Sequence, residues 1–304
     1  MRTRRLALSE GVMAGTLFGT AAIFIRYLPG SDAFYIAFWR LIVACSVLTL
    51  VLVFHDRSFS FNKMKENGRE LFLLGVFLAL HFILFVSAVK DTTILNATVL
   101  VNTSPIFSMF VSSFLFRIKP SRLAVFGISI SFAGVLMIMY GETLGAGAVA
   151  SSDGSLPGLK GDVEAILAAL VESFYLNYGR KVRKEVAILP TMLLVYVSTA
   201  VVVFVLGFAL TWTVPTMPAE AGIICPIVGL GILPTAVAHT LYFSSLSDLK
   251  SFETATLALL EPVGATLMGM ALFWEIPGEL FVIGAVLVLL GILFVVKQKV
   301  PASG

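Results

Sequence analysis

Charge is scarce in this sequence: Asp, Glu, Lys and Arg make up 13% of its 304 residues, about half of the roughly 25% found in ordinary soluble domains. Apolar residues make up 58%, and the mean hydropathy is +0.98. So few polar side chains cannot cover a water-exposed surface, which excludes a soluble globular domain and places the chain in a membrane. The two cysteines, Cys45 and Cys225, fall inside apolar runs. That excludes a disulfide framework or a thiolate metal site and reads them as small core residues. No Walker motif is present, so ATP hydrolysis by this chain is not expected. A Ser/His/Asp set, a metal-ligand cluster and a cofactor fingerprint are missing too. The expectation is therefore no enzyme, no cofactor, no metal and no nucleic-acid partner.

What the sequence has in abundance is apolar length. Ten runs could each span a bilayer core of about 30 Å: 8–28, 33–54, 70–89, 94–116, 123–140, 161–180, 190–212, 221–246, 252–273 and 280–296. They are continuous, whereas barrel strands alternate over about ten residues. The prediction is an all-α integral membrane protein with ten transmembrane helices. The basic N-terminus and its apolar run resemble a secretory signal, but the run is long enough to span and is read as the first helix. With Arg2, Arg4 and Arg5 in the cytoplasm, alternation puts Arg57, Lys63, Lys65, Arg69, Arg117, Lys119, Arg122, Arg180, Lys181, Arg183, Lys184, Lys250, Lys297 and Lys299 on the same side. Lys90 and Lys160 fall outside. This positive-inside bias supports an even number of spans with both termini cytoplasmic.

The chain also repeats. Shifting the second half by 157 positions aligns Ala236 with Ala79, Ser244 with Ser87, Asp248 with Asp91, Pro262 with Pro105, Phe273 with Phe116, Pro277 with Pro120, Gly284 with Gly127 and Gly291 with Gly134. Five spans per half is an odd number, so the second half enters the membrane inverted. The turn 117–122, RIKPSR, is basic, and its counterpart 274–279, WEIPGE, is acidic. The expected organisation is a first unit at 1–141, a Gly/Ala/Ser-rich linker at 142–160 and a second, inverted unit at 161–300.

Three stretches carry a family likeness: AFWRL at 37–41, HFILFVSAVKDTTILNATVLVNTSPIFSMFVSSFLF at 81–116 and AHTLYFSSLSDLKSFETATLALLEPVGATLMGMALFWEIP at 238–277. With them, almost the whole chain resembles the EamA type of the drug/metabolite transporter superfamily, as two tandem repeats. Members typically have a Pro inside the fourth helix of each half and an acid at its end. Here Glu275 keeps the second acid, while Ile118 stands at the first. The resemblance implies a secondary transporter of the inner (cytoplasmic) membrane working by alternating access. It implies export of small metabolites, amino acids or related amphipathic compounds first among them, driven by proton exchange or by the substrate gradient. An exchanger for sugar phosphates or nucleotide sugars is the alternative, although such anions call for several deep cations. A membrane scaffold or sensor is the non-transporting alternative. Oligomeric state is left open.

Ionisable groups inside the spans are few, and each is costly at the bilayer centre. Glu172, mid-span, and Glu261 are the proton-coupling candidates; a structural hydrogen bond is the plain alternative for each. Pro105 and Pro262 should kink their helices and expose backbone polar groups. Arg40 either binds a substrate carboxylate, holds Glu172 or Glu261, or snorkels to the headgroups. His81 and His239 lie in matching spans among aromatics. Trp39, Tyr175 and Tyr242 fall near these groups. Asn96, Asn102 and Thr103 give the fourth span an unusual polar load, with Asn96 and Thr103 on one helical face. All of these are candidates for the wall of a substrate cavity.

Overall fold

In a bilayer a backbone must satisfy its own hydrogen bonds, and a helix does so within one segment. Accordingly every element in the computed structural model is helical among the residues it describes: 3–54, 67–92, 94–145, 158–183, 187–273 and 279–297. Arg2, Arg57, Lys63, Lys65, Lys184, Glu275, Pro277 and Lys299, together with linker residues 146–157, lie outside the described residues.

The helices in order are α1 (Arg4–Phe18), α2 (Thr20–Arg26), α3 (Ala33–Phe54), α4 (Gly68–Asp91), α5 (Ile94–Val101), α6 (Ser104–Phe114), α7 (Arg122–Gly145), α8 (Leu159–Arg183), α9 (Ile188–Thr211), α10 (Ala221–Leu230), a π segment (Gly231–His239), α11 (Thr240–Ser245), α12 (Ser251–Ala258), α13 (Glu261–Phe273) and α14 (Glu279–Val296). Among the described residues seven helical stretches are long and apolar enough to cross a membrane: Arg4–Arg26, Ala33–Phe54, Gly68–Asp91, Asn96–Phe114, Ile188–Thr211, Ala221–Ser245 and Glu279–Val296. Helix α7 extends to Gly145 and α8 starts at Leu159, so helix covers both ends of the stretch read as a linker.

The repeat becomes geometry where α7 meets α14. A methyl on Gly127 would meet the Gly291 carbonyl at 2.6 Å, and one on Gly134 would meet the Gly284 carbonyl at 2.6 Å. As one number rises the other falls, so the two helices are antiparallel. The contacts are also reciprocal under the 157-residue shift, as an isologous interface requires. Between them the Ser131 hydroxyl donates to the Val288 carbonyl at 3.1 Å, two positions 157 apart. A local twofold axis therefore passes by this pair.

The proline helices differ from expectation. They are broken, not kinked. The chain turns at Asn102–Thr103, between α5 and α6, and at Leu259–Leu260, between α12 and α13, again 157 residues apart. Pro105 and Pro262 are the second residues of the new helices. In a first turn the N–H has no intrahelical acceptor, so proline costs nothing there and its fixed φ favours the restart.

α1 packs on the second break. Gly15 abuts the Leu257 carbonyl and Gly264 abuts the Thr16 carbonyl; only glycine lets backbones approach so closely. The two cysteines depart from expectation: Cys225 is exposed and Cys45 only half-buried. An apolar run in a membrane protein has a lipid-facing side as well as a packed one, so apolar surroundings in sequence do not imply burial.

Candidate functional site

Burial concentrates the costly groups at the middle of the bundle. Arg40 (1% exposed), His81, His239, Glu172 and Glu261 are all buried. A cavity of about 40 Å³ lies among them, lined by Arg40, His81, Asn102, Glu172, His239 and Glu261 together with Ser104, Pro234 and apolar side chains. That is far below the roughly 300–1,000 Å³ of a usual ligand pocket, so the centre is contracted.

One wall is cationic and aromatic. From α3, Arg40 donates through Nε to the Thr235 hydroxyl of the π segment at 2.9 Å, and its Cζ lies 4.0 Å from the Phe82 ring centre. Its Nη1 has no hydrogen-bond partner among the described residues. None of the ion pairs found among the described residues joins Arg40 to a carboxylate. From α4, His81 donates through Nδ1 to the Ala168 carbonyl at 3.1 Å, which makes Nδ1 the protonated nitrogen, and its ring stacks on Phe85. The His239 ring stands edge-on to Phe82 at 4.9 Å and lies 6.1 Å from His81; its Nδ1 is unpartnered.

The other wall is acidic and is built on the second broken helix and on α8. Glu261, first residue of α13, accepts from Asn102 Nδ2 at 3.2 Å, and Asn102 also donates to the Thr98 carbonyl at 2.8 Å. Glu261 therefore stands at the second break, where Asn102 from the first break reaches it. Glu172 of α8 faces Ser104 and Tyr242; the buried Tyr242 hydroxyl makes no well-aligned hydrogen bond.

The remaining sequence candidates lie away from this cavity wall. The Trp39 indole donates to the Thr216 carbonyl at 3.0 Å, near one end of the bundle. Tyr175 is buried against Phe243 and Met192. The Thr103 hydroxyl turns back to the Leu100 carbonyl at 2.6 Å. Asn96 reaches Asp162 at 3.3 Å. Asn96 and Thr103 share a face only in an unbroken helix, and the break at 102–103 separates them.

Asn96 belongs instead to a closure at the end of the bundle opposite the N-terminus. There Asp162 accepts from Thr92 at 2.8 Å and from Asn96, while Lys160 pairs with Asp91 at 2.7 Å. The Asp91 hydrogen bond and charge hold the Lys160 ammonium above its ordinary titration range. The N-terminal end is closed by Arg4, which bridges both Glu253 carboxylate oxygens at 2.9 and 3.2 Å and also donates to the Val296 carbonyl at 3.1 Å. Glu253 is completely buried. Asn96 and Glu253 are equivalent under the 157-residue shift, so the repeat places one polar anchor at each end.

Sequence reasoning singles out neither Thr235 nor Glu253. For Thr235 the available signal is Pro234 beside it, inside an apolar run. For Glu253 it is the repeat register, which pairs it with Asn96.

Comparison with known proteins fits this architecture. The model of the EamA-like transporter family matches twice, over residues 6–140 and 159–297. An uncharacterized transporter of Archaeoglobus fulgidus is 27% identical over 295 residues, covering 94% of each chain. The uncharacterized transporter YyaM of Bacillus subtilis is 22% identical over 95% of this chain and 91% of its own. Mouse solute carrier family 35 member G1 is 26% identical over 69% of this chain and 57% of its own. A solved crystal structure superimposes with a TM-score of 0.77 at 18% identity, covering 96% of both chains, and shares the fold. With both halves matched separately, at 6–140 and 159–297, this multi-pass membrane chain belongs to the EamA-like transporter family.

Proposed function

We propose that the protein is a secondary exporter, in the inner (cytoplasmic) membrane, of small amphoteric metabolites such as amino acids and related amphipathic compounds. All ten apolar runs cross the bilayer, with both termini in the cytoplasm. The observation that carries the reading is Arg40: a buried guanidinium that pairs with no carboxylate, and whose Nη1 finds no acceptor, among the described residues, beside a cavity whose other side holds Glu172 and Glu261. A cation at mid-membrane costs about 2.5–3.5 kcal/mol on insertion scales. A substrate carboxylate would supply the missing counter-charge, with a bidentate fork suited to it. A substrate amine, or a proton, would occupy the acidic side.

Ligand pockets usually enclose about 300–1,000 Å³, so the contracted centre must widen for a substrate to enter. Rocking of the two inverted halves would open one end at a time. Arg4–Glu253 is the cytoplasmic closure, and Asp162 with Thr92 and Asn96 is the external one. A single deep arginine is too little for a phosphorylated sugar, which ranks the sugar-phosphate exchanger second.

The test is flux in proteoliposomes against a panel of amino acids and cationic drugs, with and without a pH gradient. Glu172→Gln is expected to abolish the pH-driven component while leaving the protein folded. Unchanged pH-driven flux would remove Glu172 from the mechanism, and absence of flux for every zwitterionic compound would remove the proposed substrate class.

A further inference from the structure

Pro234 leaves a carbonyl without its helical donor, and the consequence reaches Arg40. In α register the N–H of residue 234 would bond the Leu230 carbonyl; proline has none to give. The chain passes into a π register over Gly231–His239, and the Thr235 hydroxyl turns back five residues to the Leu230 carbonyl at 2.6 Å. Several threonines on the α-helices turn back four, as with Thr98 to Ile94, Thr191 to Ala187 and Thr256 to Phe252. A hydroxyl carries one proton. With that proton committed to Leu230, Thr235 Oγ1 can meet Arg40 only as an acceptor, and it takes the Nε–H at 2.9 Å. The carbonyl of the same residue accepts from the Tyr196 hydroxyl at 2.7 Å, which fixes the backbone behind it. Both Thr235 and Arg40 are fully buried. The guanidinium is thus held along its Nε edge by Thr235 and on its face by Phe82, and Nη1 remains unengaged.

We infer that Thr235 is a positioning residue that sets substrate preference: the Pro234–Thr235 step holds Arg40 by its Nε edge, so that the outer edge of the guanidinium is presented to an anionic acceptor on the substrate. This rests on Arg40 being the substrate anchor proposed above. The repeat does not duplicate the device. The repeat counterparts of Pro234, Thr235 and Arg40 are Phe77, Leu78 and Val197, none of which can reproduce it. The cavity is therefore polar in one sense only, and a substrate with an acid at one end and an amine at the other enters in one orientation. π segments recur at functional sites because the extra residue re-aims side chains; here it re-aims the Thr235 proton.

The hold on Arg40 can be read without any substrate. In protein carrying ¹⁵N-arginine, reconstituted in nanodiscs, the Arg40 Nε–H signal is identified by its loss in Arg40→Lys. Thr235→Val is expected to shift that signal and to speed its exchange with water about tenfold or more, the scale set by one hydrogen bond to a charged group. Thr235→Ser should restore it. Pro234→Ala, which returns an N–H to the Leu230 carbonyl, should disturb it in the same direction. An unmoved Nε signal in folded Thr235→Val protein would overturn the inference.

Selectivity is read with L-phenylalanine and with phenethylamine, which lacks the carboxylate. Thr235→Val should raise KM for L-phenylalanine about tenfold with Vmax within about twofold, and should leave the KM for phenethylamine unchanged. Equal effects on both probes would also overturn it. Should Arg40→Lys leave L-phenylalanine uptake intact, the anchor reading under Proposed function fails, and the Nε signal still decides separately whether Thr235 holds Arg40.

Discussion

A single methyl group placed at the local twofold axis should separate the two halves measurably. A Cβ on Gly134 would stand 2.6 Å from the Gly284 carbonyl oxygen and 2.8 Å from the Val288 nitrogen, while one on Gly284 would stand 2.7 Å from the Gly134 carbonyl oxygen. Carbon and carbonyl oxygen come no closer than about 3.3 Å in ordinary C–H···O contacts, so α7 and α14 must move apart by roughly 0.6–0.7 Å at this point. The obstructing atoms are mainly backbone, and no flexible side chain can swing clear. Overpacking of this kind costs about 1–3 kcal/mol. Gly134→Ala and Gly284→Ala should therefore each destabilise the protein by about 2 kcal/mol. The separation that admits the first methyl already makes room for the second. The double variant should then cost well under the sum, with a coupling of about 1 kcal/mol or more. Reversible unfolding in mixed micelles, followed by tryptophan fluorescence, measures this. Gly30→Ala is the control, since a methyl there meets nothing within 4 Å. If Gly134→Ala matches that control within about 0.5 kcal/mol, or if the two costs simply add, the close antiparallel contact at the axis is refuted.

The Arg4–Glu253 contact at the N-terminal end should loosen when its charge is removed. Glu253→Gln weakens charge-assisted bonds worth about 1.5–3 kcal/mol, which amounts to about a tenfold or greater rise in labelling of Ala258→Cys by an impermeant maleimide from the N-terminal side, in a Cys45→Ser, Cys225→Ser background; an unchanged rate argues against the closure. Asp162→Asn should raise labelling of the same site from the other side only, and labelling that rises from both sides would mean that the closures do not act separately. Phe82→Leu removes the ring beneath Arg40, an interaction worth about 2 kcal/mol when desolvated. Uptake of carboxylate-bearing substrates should weaken at least tenfold; an intact KM would take the cation–π contact out of the binding argument.

Local features of the sequence carried the architecture. Hydropathy is a property of contiguous residues, and helices satisfy their hydrogen bonds within one segment, so the apolar runs read directly as helices. The 157-residue repeat was equally legible, because identities at one register need no folding to be seen; in space it became the Gly127–Gly291 and Gly134–Gly284 contacts and the Ser131–Val288 bond on the axis. Pro105 and Pro262 marked the right places. Whether each bends a helix or restarts one depends on whether the preceding residues remain in helical register, and packing against neighbours decided for a break.

The site was legible only as a set of residue types. Arg40, His81, Asn102, Glu172, His239 and Glu261 stood out as polar groups in apolar runs, and they share one cavity; Asn96, Thr103, Trp39 and Tyr175 stood out by the same signal and lie elsewhere. The difference rests on contacts between distant parts of the chain: Arg40 with Thr235, 195 residues apart, Asn102 with Glu261, 159 apart, and Arg4 with Glu253, 249 apart. The sequence by itself determined a helical membrane chain made of two related halves, because apolar length and repetition are written locally. Only the tertiary structure decided which buried polar groups face each other and which close the ends, because a buried charge is satisfied by whatever lies across from it in space.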